Sequence, residues 1–248
     1  MGGSRALGPR DEAVIAGQLG RQPRDVTGIP VRCPFGHPAV IETAPVLSDG
    51  APNPTLLYLT CPAMVAAVSR VEAGGGVREL KFACGNEERL RAHLNGVTWL
   101  YQERRAELAA ELTAEPAGDG ATIARRAARL KAGIGGPERP EVASCLHAYA
   151  AAWLAVMSGW LGGGAESSLG ADARWAWARF LPPPADCWCA DRRCSRWALG
   201  ERRAAIDVGT ISVRLLAADV GEGRPQTVVR RAEVTRLGED LRPGASLT

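Results

Sequence analysis

Lysine is nearly absent from this chain: Lys81 and Lys131 are its only occurrences, and every other basic residue is arginine. With abundant Ala, Gly and Pro, that usage reflects a GC-rich coding sequence, so an arginine cluster here is a weak sign of a binding surface. Charge of one sign is lacking as well. A net charge of +3 makes no electrostatic case for nucleic acid as a partner. The seven cysteines contain no Cys-x-x-Cys pair and no disulfide-scaffold rhythm, which excludes a cystine-stapled fold and fits reduced thiols in a cytoplasmic protein. The opening residues 1–6 lack the apolar run of a secretory signal, and Ala6 stands where N-myristoylation needs Ser or Thr. One uncharged run, Val142 to Leu161, is long enough to span a bilayer. It is alanine-rich, carries His147 and two serines, and has a one-sided apolar pattern. It therefore reads as a buried amphipathic helix, with no membrane as partner.

What is present is ordinary globular material. A hydrophobic content of 46% supports a core, and 248 residues hold one or two domains. A short helix over 11–20 closes at Gly20. Extended runs follow at 28–32, 39–43 and 55–60, separated by Pro- and Gly-rich turns. Thr60 and Pro62 open a helix that carries Met64, Val65, Val68 and Val71 on one face and ends at Gly74-Gly75-Gly76. A longer helix from about Glu87 to Glu115 places Leu90, Leu94, Val97, Tyr101, Leu108 and Leu112 at three-four spacing. A basic helix is expected around 123–131, with Arg125, Arg126, Arg129 and Lys131 as a solvated face. The last helix, about Glu138 to Leu161, aligns Val142, Leu146, Tyr149, Trp153, Val156 and Trp160. Strands first and helices after make the fold class α+β, a small strand-rich N-terminal part packed with several helices.

From 161 to 203 no helical or strand period is evident across the whole stretch. Gly162-Gly163-Gly164 and Pro182-Pro183-Pro184 punctuate it, and it holds Cys187, Cys189, Cys194 and four tryptophans (Trp175, Trp177, Trp188, Trp197). It reads as a disordered linker, with translation from a shifted frame as the alternative source of such a composition.

Several strings in the first part point to one family: Gln18-Leu19-Gly20-Arg21, Arg32-Cys33-Pro34-Phe35-Gly36-His37-Pro38, Glu42-Thr43-Ala44-Pro45, and Asn53 through Pro62. Val65 through Glu72 and Cys145-Leu146-His147 continue the series in collinear order. On these strings, residues 11–157 resemble a bacterial family known as domain of unknown function 501. The family has no assigned chemistry, so the resemblance implies an interaction or ligand-binding module, with an unknown protein or small ligand as partner.

The last segment, Ala204 to Leu216 with Thr235-Arg236-Leu237-Gly238-Glu239, runs an apolar strand into an acidic residue, a Gly-Thr-x-Ser turn and a second apolar strand. A tight hairpin of this kind aims backbone N–H groups and hydroxyls at a phosphate. It resembles the N-terminus of the exopolyphosphatase / guanosine pentaphosphate phosphatase family, of actin-like ATPase (ribonuclease H-like) fold. The resemblance implies phosphate binding by Asp207, Gly209, Thr210, Ser212, Arg214 and Arg236, magnesium held through Asp207, and polyphosphate as an anion. Ile211 departs from that family's pattern, which has Asn at this place, and puts a β-branched residue into the turn. The second phosphate loop and the catalytic glutamate of that family have no counterpart before Thr248. The expected organisation is therefore a domain over 1–160, a linker over 161–203 and a truncated phosphatase-like fragment over 204–248 without turnover.

Zinc is the other cofactor that residue types allow. Cys33-x3-His37 in a turn, with Cys61, is the candidate set. Cys61 at a helix N-terminus is also a candidate for a lowered thiol pKa. Cys187-x-Cys189-x4-Cys194 is too irregular for a metal knuckle. Cys145 and His147, read as two residues within one helix, point to different sides, which argues against both a shared metal and a Cys–His nucleophile.

Overall fold

The protein is described by a computed structural model over residues 7–113, 132–137, 139, 143–189, 194–198, 201–209, 211–220 and 226–235. It is α+β, with helices and two three-stranded antiparallel sheets. The chain divides into two compact units, one built on Pro23–Arg192, the other on Gly8–Gln22 with Arg193–Thr248.

In the larger unit the strands β1 (Val26–Arg32), β2 (Pro38–Thr43) and β3 (Leu57–Leu59) form a sheet in the order β1-β2-β3. β2 is the central strand and all six of its residues are buried. Helix α2 (Pro62–Ala73) starts with Pro62 in its first turn, where the missing N–H costs nothing, and with Cys61 as its N-cap. The glycines at 74–76 do not stop the helical path for long. Gly75, at φ 96, makes a left-handed turn, and α3 (Gly76–Asn86) begins at once. A Cβ on Gly76 would meet Val71 at 2.6 Å and Leu146 at 2.8 Å, so close approach of the helices also requires glycine there. Helix α4 (Glu88–Thr113) buries Leu90, Leu94, Val97, Tyr101 and Leu108, as its spacing predicts, and leaves Leu112 exposed.

Helix α5 (Leu146–Met157) is shorter than the expected 138–161 and is not one-sided. Tyr149 through Val156 are all buried. A helix apolar on every face belongs in the middle of a core, and α5 packs against β3, α2, α4 and α6. No helix among the described residues is long and apolar enough to cross a membrane.

The disordered linker expected over 161–203 is corrected where the structure describes it. Helix α6 (Ser168–Phe180) is capped by the Ser167 hydroxyl, which accepts from the Gly170 N–H at 2.9 Å. Its period is real but only thirteen residues long: Leu169, Ala173, Ala176, Trp177 and Phe180 form one stripe. Trp177 is buried with its indole N–H donating to the Pro182 carbonyl at 2.6 Å, and Phe180 stacks on Trp153. Trp177 is thus core material, as its size favours, while Trp175, Trp188 and Trp197 are half-buried against core residues. A short helix α7 (Pro184–Cys187) follows.

In the smaller unit, α1 (Pro9–Leu19) packs on α8 (Ser195–Ala198), with the Trp197 indole lying where a Cβ on Gly17 would stand. The strands β4 (Glu201–Val208), β5 (Ser212–Val220) and β6 (Gln226–Val234) form a sheet in the order β4-β5-β6. The expected hairpin is present, with Val208 opposite Val213. The basic cluster Arg125, Arg126, Arg129 and Lys131 lies outside the described residues.

Candidate metal centre

Helix α2 presents Val65, Ser69 and Glu72 at i, i+4 and i+7, on one face. That face meets the start of α5. The first helical amide there, Leu146 N–H, donates to Glu72 Oε1 at 2.5 Å. A carboxylate from one helix thus caps another, satisfying an orphan amide and the positive end of its dipole. The second carboxylate oxygen, Oε2, lies 3.2 Å from His147 Nδ1. Cys145 Sγ lies 3.8 Å from the same nitrogen. On the far side of the ring, His147 Nε2 is 3.2 Å from the Val65 carbonyl oxygen and 3.1 Å from Ser69 Oγ.

This juxtaposition corrects the angular argument made from the sequence. Cys145 is not in the helix: at φ −156 and ψ 120 it is extended, the N-cap of a helix that starts at Leu146. The cap turns its thiol back toward the imidazole two residues on.

The geometry decides the protonation of the ring. A carbonyl oxygen only accepts, so Nε2 carries a proton. Nδ1 then faces a carboxylate and a sulfur, and its lone pair in the neutral ring would point at the carboxylate oxygen, the nearer of the two and an acceptor only. A second proton removes that conflict. Accordingly the thiol of Cys145, the charge of Glu72 and the Val65 carbonyl, against the opposing effect of burial, push the His147 pKa up to about 9. The carboxylate is the nearer of the two groups at Nδ1.

A metal ion removes the conflict equally well. The ligand atoms of Glu72, Cys145 and His147 all lie within 4.8 Å of one another, the one such group among the described residues. Tetrahedral zinc holds O, N and S donors at about 2.0–2.3 Å, which sets the donors roughly 3.3–3.6 Å apart. The observed 3.2 and 3.8 Å bracket that spacing. An imidazole whose other nitrogen is hydrogen-bonded to a backbone carbonyl is the usual support for a metal-binding histidine. The three residues are half-buried, open enough for an ion to enter.

The set read from the sequence does not converge. Cys33 and His37 bracket the β1–β2 turn, with Cys33 N–H donating to the His37 carbonyl at 2.8 Å, and both are buried. With Cys61 they do not form a group of metal-ligand atoms. Burial pushes the Cys61 thiol up, with the nearby thiols of Cys189 and Cys33 adding to it and the Met64 and Ala63 amides opposing. Desolvation therefore outweighs the helix-terminus effect that favoured a thiolate there. Cys187 is likewise a buried thiol pushed up by desolvation.

At the β4–β5 hairpin, Asp207 is paired in register with Arg214, and the Gly209 N–H donates to the Ser212 carbonyl at 2.9 Å. That amide is committed to closing the turn and is not aimed at an anion. Asp207 belongs to no group of metal-capable side chains among the described residues. Thr210 and Arg236 lie outside them.

Glu72 and Ser69 were missed as site residues. Both lie on the face of α2 that meets the start of α5, a tertiary placement with no signal in the sequence.

A family model, Protein of unknown function (DUF501), matches residues 29–162, which is more than half of the chain. The chain belongs to that family, and the match contains Glu72, Cys145 and His147. It ends well before β4, and no comparison supports a phosphatase-like fragment. No curated protein and no solved structure matches the chain.

Proposed function

We propose that this DUF501 protein is a metal-binding module whose ion, zinc by the chemistry of its donors, is held by Glu72, Cys145 and His147 with one position left open. The observation that carries this reading is the convergence of a carboxylate oxygen and a sulfur on Nδ1 while Nε2 is pinned to the Val65 carbonyl. A mixed sulfur, nitrogen and oxygen set suits zinc and excludes the hard ions magnesium and calcium, which want oxygen alone. Three protein ligands and an open fourth site leave room for water or a small ligand on the metal. The ion would also pin α2 to the start of α5, so binding would add to stability.

The test is metal analysis of the full chain purified without chelator. About one zinc per chain is expected, lost in His147→Ala and in Cys145→Ser and kept in Cys33→Ser. Because the ion must displace the proton on Nδ1 and the thiol proton of Cys145, affinity rises with pH through the neutral and mildly alkaline range. No zinc as purified and no uptake at pH 8 would overturn the reading.

A further inference from the structure

A cavity of about 530 Å³ opens in the larger unit, lined by Pro30, Arg104, Glu107, Glu111 and Trp160 among others. It shares no residue with the metal centre. Its size is that of a small-molecule site. Its back wall is rigid for a clear reason. The Glu42 carboxylate is completely buried and accepts from Arg104 Nε at 2.9 Å, Arg104 Nη2 at 3.0 Å, Trp160 Nε1 at 2.7 Å and Thr27 Oγ1 at 3.1 Å. A bidentate guanidinium and two further donors hold both carboxylate oxygens. The indole fits against β1 because Gly28 has no side chain: a Cβ there would meet the ring at 2.8 Å.

This construction sets the sign of the cavity. Among the described lining residues Arg104 is the one cation, and two of its three nitrogens bond Glu42. The remaining Nη1 is shared by Glu111 at 3.3 Å and Glu107 at 3.6 Å, both largely exposed. Among the described residues one positive charge therefore stands against three carboxylates, the buried Glu42 behind the lining and the exposed Glu107 and Glu111 in it. A concave site with a surplus of one sign focuses its field on a ligand of the other. The Trp160 ring, 6.0 Å from the Arg104 guanidinium carbon, and Pro30 supply apolar surface beside those carboxylates.

We propose that this cavity binds an organic cation, an ammonium or guanidinium group on an aliphatic stem. The cationic head takes the oxygens of Glu107 and Glu111 that Arg104 leaves free, and the stem lies along Pro30 and Trp160. An anion is repelled by Glu107 and Glu111, and the Arg104 guanidinium is already paired with Glu42, Glu107 and Glu111.

Calorimetric titration of the full chain at low salt tests this, with agmatine as the cation and glutarate as a control of opposite charge and similar length. Agmatine is expected to bind and glutarate not to. The double variant E107Q/E111Q is expected to weaken agmatine at least tenfold while keeping its circular dichroism and its zinc content. Both side chains lie at the surface of α4, so the variant retains its core; the single variants each weaken binding by a smaller factor. Absence of agmatine binding, equal binding to the double variant, or preference for glutarate would overturn the proposal. None of these results bears on zinc at Glu72, Cys145 and His147.

Discussion

β2 and β5 are both the middle strand of a three-stranded antiparallel sheet, and they lead opposite lives. Every residue of β2 is buried, and its neighbour β3 shares a core with α5, against which Val31 of β1 is partly buried. β5 has the longer and more regular ladder, eight paired positions to β4 in unbroken register, yet among its described side chains only Ala218 is buried. Ile206 on β4 is 67% exposed and Val234 on β6 is 71% exposed. Regular hydrogen bonding and burial are therefore separate achievements. A ladder follows from local alternation and a turn, whereas burial needs a second layer, and most of a sheet's stability comes from that layer.

The comparison can be broken most sharply in the core. Trp153, fully buried on α5 between Tyr149 and Phe180, should lose about 3–5 kcal/mol of stability on replacement by Ala, read by urea denaturation. A loss under about 1 kcal/mol would mean that the apparent core is no tighter than the sheet of the smaller unit.

An intermediate effect lies at His147. Its folded pKa of about 9 stands above the ordinary value of 6.5 for an unfolded histidine. The metal-free protein therefore has this stabilisation in full below about pH 6.5 and loses it as pH rises through about 9. After allowance for partial solvent access, the change is roughly 2 kcal/mol. Thermal melts of wild type and His147→Ala between pH 6 and 9.5 should converge at the alkaline end. Parallel curves would show that the ring is not held as described.

The smallest effect is expected on the exposed sheet. Ile206→Thr should change stability by less than about 0.5 kcal/mol, because the side chain gives up little on unfolding. A cost comparable to that of Trp153→Ala would show that this face is covered in solution, and would erase the contrast between the two sheets.

Much of the first unit was legible residue by residue. The runs at 28–32 and 39–43 became β1 and β2, and the stripe Leu90, Leu94, Val97, Tyr101 became the buried face of α4. Four helices were not read: α3, α6 and the single turns α7 and α8. α3 was hidden because three consecutive glycines look like an ending, although one left-handed glycine suffices to restart a helix. α6 was hidden because a stripe of thirteen residues is diluted in a window three times as long. The metal centre was half legible. Cys145 and His147 stood out by type, but assigning both to one helix turned them apart, and a helix boundary is the least certain feature of a sequence pattern.

Residue types and their local order suffice for the strands, the long helix α4 and the hairpin of β4 and β5, because turn chemistry, side-chain alternation and the helical period act between near neighbours. They also place a thiol, an imidazole and a carboxylate in the chain. That Glu72 reaches across to the first amide of α5 and to His147, and that Arg104 closes over Glu42, depended on how distant helices and strands pack. Such contacts join segments far apart in the chain, and no short-range preference encodes them. Only burial, which forces each buried charge to find its partner, brings them together.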